Sequence, residues 1–286
     1  MRTLRTIAEV RASVRAARAA GRSVALVPTM GAFHAGHEAL MRAARAAHDE
    51  VVVSLFVNPT QFNEAGDLAA YPRTEASDAA IAEGLGVDVL FAPPAEELYP
   101  DGFATRIRVA GLARVLEGAE RGPEHFDGVC TVVGKLLNIV APDVAYFGQK
   151  DAQQVAVLRR MVRDLDIPVE LAIVPTVRAD DGLALSSRNA RLGREDRERA
   201  TALRHALGAV ADALAGGERD AGAAALRGRA VLAAAGIEPD YLTVADPDTL
   251  EPLERVESSA LVLVAARVGP ARLIDNVLIE QVATPA

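Results

Sequence analysis

Apolar and polar positions in the first 175 residues follow two rhythms. Leu4, Ile7, Val10 and Val14 recur at helical spacing, which predicts an amphipathic helix over about residues 6–20. Short unbroken apolar runs follow. One spans residues 24–27 and is ended by Pro28; another spans residues 51–57 and is broken by Asn58-Pro59-Thr60-Gln61-Phe62-Asn63. An Ala-rich helical stretch reaching about His48 lies between them. The pattern continues with a helix at 75–85, a strand at 87–91, a helix at 128–140, a strand at 144–147, a helix at 149–165 and a strand at 169–174. Continuous apolar strands alternating with helices predict a parallel sheet covered on both faces.

After Pro175 the rhythm changes. A polar loop at 178–189 precedes two Ala-rich helical stretches, 195–215 and 221–235, and then strand-like runs at 241–244, 259–268 and 272–279. The expected fold class is therefore α/β: a Rossmann-like parallel-sheet domain over residues 1–175, and a second, smaller α+β domain over 176–286.

Composition narrows the function classes. Half the residues are hydrophobic and 24% are charged, with a net charge of -8 and a pI near 5.3. No long basic run is present, which argues against nucleic acid as a partner. The Arg-rich stretch at 188–199 is interleaved with Glu195, Asp196 and Glu198 and reads as a solvated helix face. No apolar stretch approaches the ~20 residues needed to cross a bilayer. The single cysteine, Cys130, excludes an internal disulfide, fits a reducing cytoplasm and reads as a packed core thiol. Only Lys135 and Lys150 are lysines, and both fall where the motifs cluster.

The segment Pro28-Thr29-Met30-Gly31-Ala32-Phe33-His34-Ala35-Gly36-His37 joins a strand to a helix. Open α/β sheets bind ligands at such junctions, and a helix N-terminus attracts phosphate. Gly31 and Gly36 allow close approach of a nucleotide. His34 and His37, three apart, can both donate to phosphate oxygens; alone, the pair also fits two ordinary surface histidines. Asn58 and Gln61 follow the second buried strand, and uncharged amides both donate and accept hydrogen bonds. Gly148-Gln149-Lys150-Asp151 sits at another strand-to-helix junction. Lys150 offers a compact positive charge, and Asp151 can accept from a ribose hydroxyl or cap the helix. Ser186-Ser187-Arg188, preceded by Gly182, offers two hydroxyls and a guanidinium that can meet phosphate oxygens or can simply cap the next helix. Arg121 can meet phosphates as well. Asp78 is a candidate Mg²⁺ ligand, with a solvated helix face as the plainer reading.

These segments together carry a resemblance. Pro28–His37 resembles the HxGH signature of a nucleotidyltransferase superfamily, and its longer form resembles the pantothenate synthetase family, with Phe33 where Leu is more usual. Four further blocks match in the same order: Val57–Phe62, Tyr71–Thr74, His125 through Gln154, and Asp181–Asn189, the last with Leu185 in place of Met. The resemblance implies ATP-dependent joining of pantoate and β-alanine through a pantoyl-adenylate, with Mg²⁺, in a cytoplasmic homodimer. It implies His34, His37, Lys150 and Arg188 in catalysis. It places ATP on Met30, Gly31, Ala32, Phe33, His34, Ala35, Gly36, His37, Gly148, Gln149, Lys150, Asp151, Val177, Leu185, Ser186, Ser187 and Arg188. Gln61 and Gln154 would hold pantoate, with Asn58 beside them and Gln61 also near β-alanine. The second domain would close its loop over the site. Small molecules are the expected partners, with no nucleic acid and no membrane.

Overall fold

The computed structural model describes residues 1–62 and 65–280; Asn63 of the second strand break and the last six positions of the expected second domain lie outside them. The chain divides into two compact units. One comprises Met1–Gly148 with Gln153–Pro175, the other Gln149–Ala152 with Thr176–Ala286.

The first unit is built on six parallel strands: β1 (Arg2–Leu4), β2 (Val24–Thr29), β3 (Glu50–Leu55), β4 (Val89–Phe91), β5 (Val144–Gly148) and β6 (Glu170–Val174). Their order is β1-β4-β3-β2-β5-β6. From β2 the chain builds outward in one direction through β3 and β4, then returns to add β5 and β6 on the other side. That reversal makes the carboxyl end of β2 a topological switch point. The first helix, Ile7–Ala19, begins with a capping box in which Thr6 and Glu9 satisfy each other's backbone N–H. One face of the sheet, through Ala25, Val27, Val51, Val53 and Leu90, packs on Leu40, Met41 and Ala44 of helix Ala35–Ala47.

The expected parallel sheet is present, with two departures at strand level. The β1 strand has no apolar run to announce it; it forms because Arg2, Thr3 and Leu4 pair in register with Val89, Leu90 and Phe91. Strand β2 also runs through Pro28 instead of stopping there. Thr29 turns its carbonyl to the Phe56 N–H on the β3 side, so the alternate residue Pro28 faces away from β3. On that flank β2 pairs with β5 only at Ala25 and Leu26, so the missing N–H leaves no ladder bond unmade.

The second unit holds an antiparallel sheet, β7 (Pro239–Ala245), β8 (Ala260–Val268) and β9 (Ala271–Ile279), in that order. Helices Ala202–Ala215 and Ala221–Ala234 share its core, which includes Leu203, Leu207, Leu214, Leu232, Val262 and Val264. The helix expected at 195–215 is broken at Thr201, whose hydroxyl donates back to the Glu198 carbonyl at 2.7 Å.

Candidate functional site

The loop after β2 is held by one carboxylate. Asp78, on helix Glu75–Gly84, is 1% exposed. It accepts the backbone N–H groups of Ala32 at 2.9 Å and Phe33 at 2.8 Å, and the Thr74 hydroxyl at 3.0 Å. Gly31 and Ala32 both have positive φ, 88° and 53°, which turns successive N–H groups toward the same anion. A Cβ on Gly31 would lie 3.0 Å from Asp78 Oδ2, so glycine is required there by space as well as by φ. This corrects the reading of Asp78 as a solvated helix residue. Both its oxygens are committed to the protein, and among the described residues no three His, Cys, Asp or Glu side chains are grouped to hold a metal ion.

With the loop fixed, the histidines fall into reciprocal roles. His34 is the N-cap of helix Ala35–Ala47, and its Nδ1 accepts the Gly36 N–H at 3.1 Å. His37 Nδ1 accepts the His34 N–H at 3.4 Å. Each ring therefore uses its Nδ1 lone pair on the backbone. In the neutral imidazole this puts the proton on Nε2, so both rings carry an Nε2–H donor. The ring centroids are 4.3 Å apart, so the two donors belong to one patch at the helix start.

The amides form a second network in the same unit. Asn58 is buried and donates through Nδ2 to the Gly128 carbonyl at 3.1 Å and to Gln61 Oε1 at 3.1 Å. Its Oδ1 accepts from the Tyr99 hydroxyl at 2.9 Å and from the Thr60 hydroxyl at 2.9 Å. A carbonyl can only accept, so the Gly128 bond settles which Asn58 atom is nitrogen. That in turn directs Gln61 Nε2 toward Met30 Sδ, 2.8 Å away. His125 Nδ1 meets the Gln61 carbonyl at 2.9 Å. A Cβ at position 128 would fall 2.4 Å from the Thr60 carbonyl oxygen, so Gly128 lets helix Pro123–Val140 press against this turn. Gln154 stands half-buried on helix Ala152–Asp164. Its buried neighbour Gln153 holds the loop at 112–117, accepting the Glu117 N–H and donating to the Leu112 and Val115 carbonyls. Arg121 ion-pairs with buried Glu117 at 3.1 Å.

In the second unit, Lys150, Ser186 and Arg188 line one cavity together with Asn189, Arg272 and Asp275. Lys150 contacts Asp151 at 3.3 Å, so Asp151 pairs with the lysine beside it. Ser186 caps the turn Ser187–Arg191 by accepting the Arg188 N–H, while Ser187 is exposed. The Leu185 N–H donates to the Val177 carbonyl at 3.0 Å, which joins the two expected ATP contacts through the backbone. Gly148 closes β5 opposite Val174.

The two other reactive side chains take structural places. Burial, with Asp127 nearby, pushes the Cys130 thiol up to about 12, out of reach of thiolate chemistry at neutral pH. The Lys135 ammonium lies 4.7 Å from the Phe103 ring centre, and burial lowers its pKa.

Comparison with known proteins settles the family. The model for pantoate-beta-alanine ligase matches residues 2–278. The chain belongs to the pantoate-beta-alanine ligase family. It is 53% identical to the pantothenate synthetase of Cereibacter sphaeroides over 274 residues, covering 96% of this chain and 98% of that one. Its fold is similar to the crystal structure of pantothenate synthetase from Thermus thermophilus, with TM-score 0.90, 48% identity, and coverage of 97% and 99%. It is also similar to the pantoate-beta-alanine ligase of Francisella tularensis, solved in complex with beta-gamma ATP and beta-alanine, with TM-score 0.77, 35% identity, and 97% of each chain covered.

Within this ligase, Tyr99, Gln153, Arg178, Asp275 and Asn276 brace expected site residues or the loops around them, and the motifs assign none of the five a role. For the last two a signal existed: adjacent polar residues between the apolar pairs Leu273-Ile274 and Val277-Leu278 of one strand.

Two outcomes follow. Gly31→Ala should lower stability by about 1–2 kcal/mol, because it strains φ and presses on Asp78. An unchanged urea midpoint would show that the loop does not depend on this contact. Tyr99→Phe removes one donor from Asn58 and should raise the KM for pantoate roughly fivefold, about 1 kcal/mol, leaving the ATP KM unchanged. A change in the ATP KM alone would contradict the network's assignment to pantoate.

Proposed function

We propose that this ligase works through a pantoyl-adenylate and uses no protein nucleophile. The reaction is the ATP-dependent condensation of pantoate with β-alanine to give pantothenate. In the first step a pantoate carboxylate oxygen attacks the α-phosphorus, the bond to the bridging oxygen breaks, and pyrophosphate leaves. In the second the β-alanine amine attacks the acyl carbon, the bond to AMP breaks, and the nitrogen releases a proton to solvent.

The observation that carries this mechanism is the pair of Nδ1-to-backbone bonds at His34 and His37. They support two preorganised Nε2–H donors at a helix start, suited to charge building on a phosphate. In the second unit Lys150, Ser186, Ser187 and Arg188 would contact the triphosphate, consistent with three of them lining one cavity. Gln61, aligned by Asn58, and Gln154 would hold pantoate, and amides that donate and accept fit its hydroxyls and carboxylate. Mg²⁺ would neutralise charge on the triphosphate, which suits its preference for phosphate oxygens.

Pyrophosphate release from ATP should require pantoate, and AMP with pantothenate should appear once β-alanine is added. His37→Ala should lower kcat about 10²-fold. Release of pyrophosphate without pantoate would overturn the two-step order, and an unchanged kcat would remove His37 from it.

By family likeness we also propose a homodimer working in the cytoplasm. No helix among the described residues is long and apolar enough to cross a membrane. A sedimentation mass of one chain would overturn the first proposal, and recovery in a membrane fraction the second.

A further inference from the structure

Strand β9 carries two consecutive polar residues, Asp275 and Asn276, each 4% exposed. Neighbouring side chains on a strand leave on opposite faces, so the two can reach different segments. Asp275 grips Arg178 through two bonds, 2.7 and 2.9 Å. Arg178 also donates to the Gly182 carbonyl at 3.2 Å and bridges Ala184 through the backbone, which braces the hairpin that leads to Ser186. Asn276 turns to the lysine segment. Its Nδ2 donates to the carbonyls of Gln149 at 3.0 Å and Lys150 at 2.9 Å, and its Oδ1 accepts from Gln149 Nε2 at 3.0 Å. Two carbonyl partners require Nδ2 where it stands, so the amide has one orientation.

All three Asn276 bonds end on Gln149 or Lys150, which are proposed ATP contacts, and the Asp275 bonds brace the hairpin beside Val177, Leu185 and Ser186. A residue serving only the core of this unit would have been apolar, as its neighbours Leu273 and Val277 are. A turn of three residues carries little rigidity of its own, so the direction of the Lys150 side chain depends on what holds its carbonyl. We propose that Asn276 is a positioning residue for the first chemical step, aiming Lys150 at the triphosphate by clamping the Gln149–Lys150 backbone to β9. The inference rests on the reading of Lys150 as an ATP contact.

The test is a double-mutant cycle on pantoate-dependent pyrophosphate release in the full chain. Asn276→Ala should lower kcat about tenfold or more, the usual scale for losing a residue that orients an active group, and should leave the pantoate KM unchanged. In a Lys150→Ala background the same substitution should cost nothing further, because the group it aims is gone. Full kcat in Asn276→Ala, or an equal loss in both backgrounds, would overturn the inference. If Asn276→Ala fails to fold, Gln149→Met, which removes only the reciprocal bond, should show a smaller loss of kcat that again vanishes without Lys150. A loss that persists without Lys150 would overturn the inference as well. Lys150→Ala with full kcat would bring down the reading beneath it, and that failure would be seen in a chain whose Asn276 is intact.

Discussion

A single buried carboxylate sets the geometry of the first unit's site. Asp78 receives two consecutive backbone amides, and those amides can converge only because Gly31 and Ala32 hold the left-handed region. A non-glycine residue there is costly, on the order of 1–3 kcal/mol, and the charge-assisted bonds to a buried acceptor offset it. Everything downstream depends on this constraint. Where Phe33 leaves the loop decides where His34 caps the helix, and the cap decides which nitrogen of each imidazole turns to the backbone. The placing of the two imidazoles is thus a backbone geometry first and a pair of side chains second.

The second network obeys the same logic with neutral groups. An asparagine and a glutamine have symmetric-looking ends, and an amide free to flip offers a substrate no fixed pattern. The Gly128 carbonyl breaks that symmetry for Asn58, and Asn58 passes the choice on to Gln61. Tyr99 and Thr60 add donors to the same oxygen, so reversing the amide would set several like groups against each other. The orientation of Gln61 is thus set by residues one step removed from it.

Much of this was legible in the sequence, and the gaps have physical causes. Central parallel strands are buried on both faces, so β3 and β5 showed as plain apolar runs. The β1 strand did not, because three residues between Met1 and Arg5 have no pattern until β4 offers them a ladder. Pro28 was taken as a stop because proline removes a donor, and the direction that donor would have faced is set only by neighbouring strands. Motif spacing set the segments of His34, His37, Gln61 and Lys150 just after strands, and each of them follows β2, β3 or β5 in the structure. It could not place Asp78, since Glu75 and Ser77 around it look solvated and its burial arises from a loop more than forty residues earlier in the chain. Partners such as Tyr99 and Gln153 were invisible for the same reason: their meaning lies in distant carbonyls and amides.

The attachment of Gln149 and Lys150 to β9 also bears on how the protein is made. The two partners are 126 and 127 residues apart, so a chain still being synthesised completes all six strands of the first sheet well before Asn276 leaves the ribosome. During that interval the nascent chain owns a finished scaffold and an unbraced lysine turn. If Asn276 aims Lys150 as proposed, a fragment cut short before β9 carries the lysine turn without the brace that orients it.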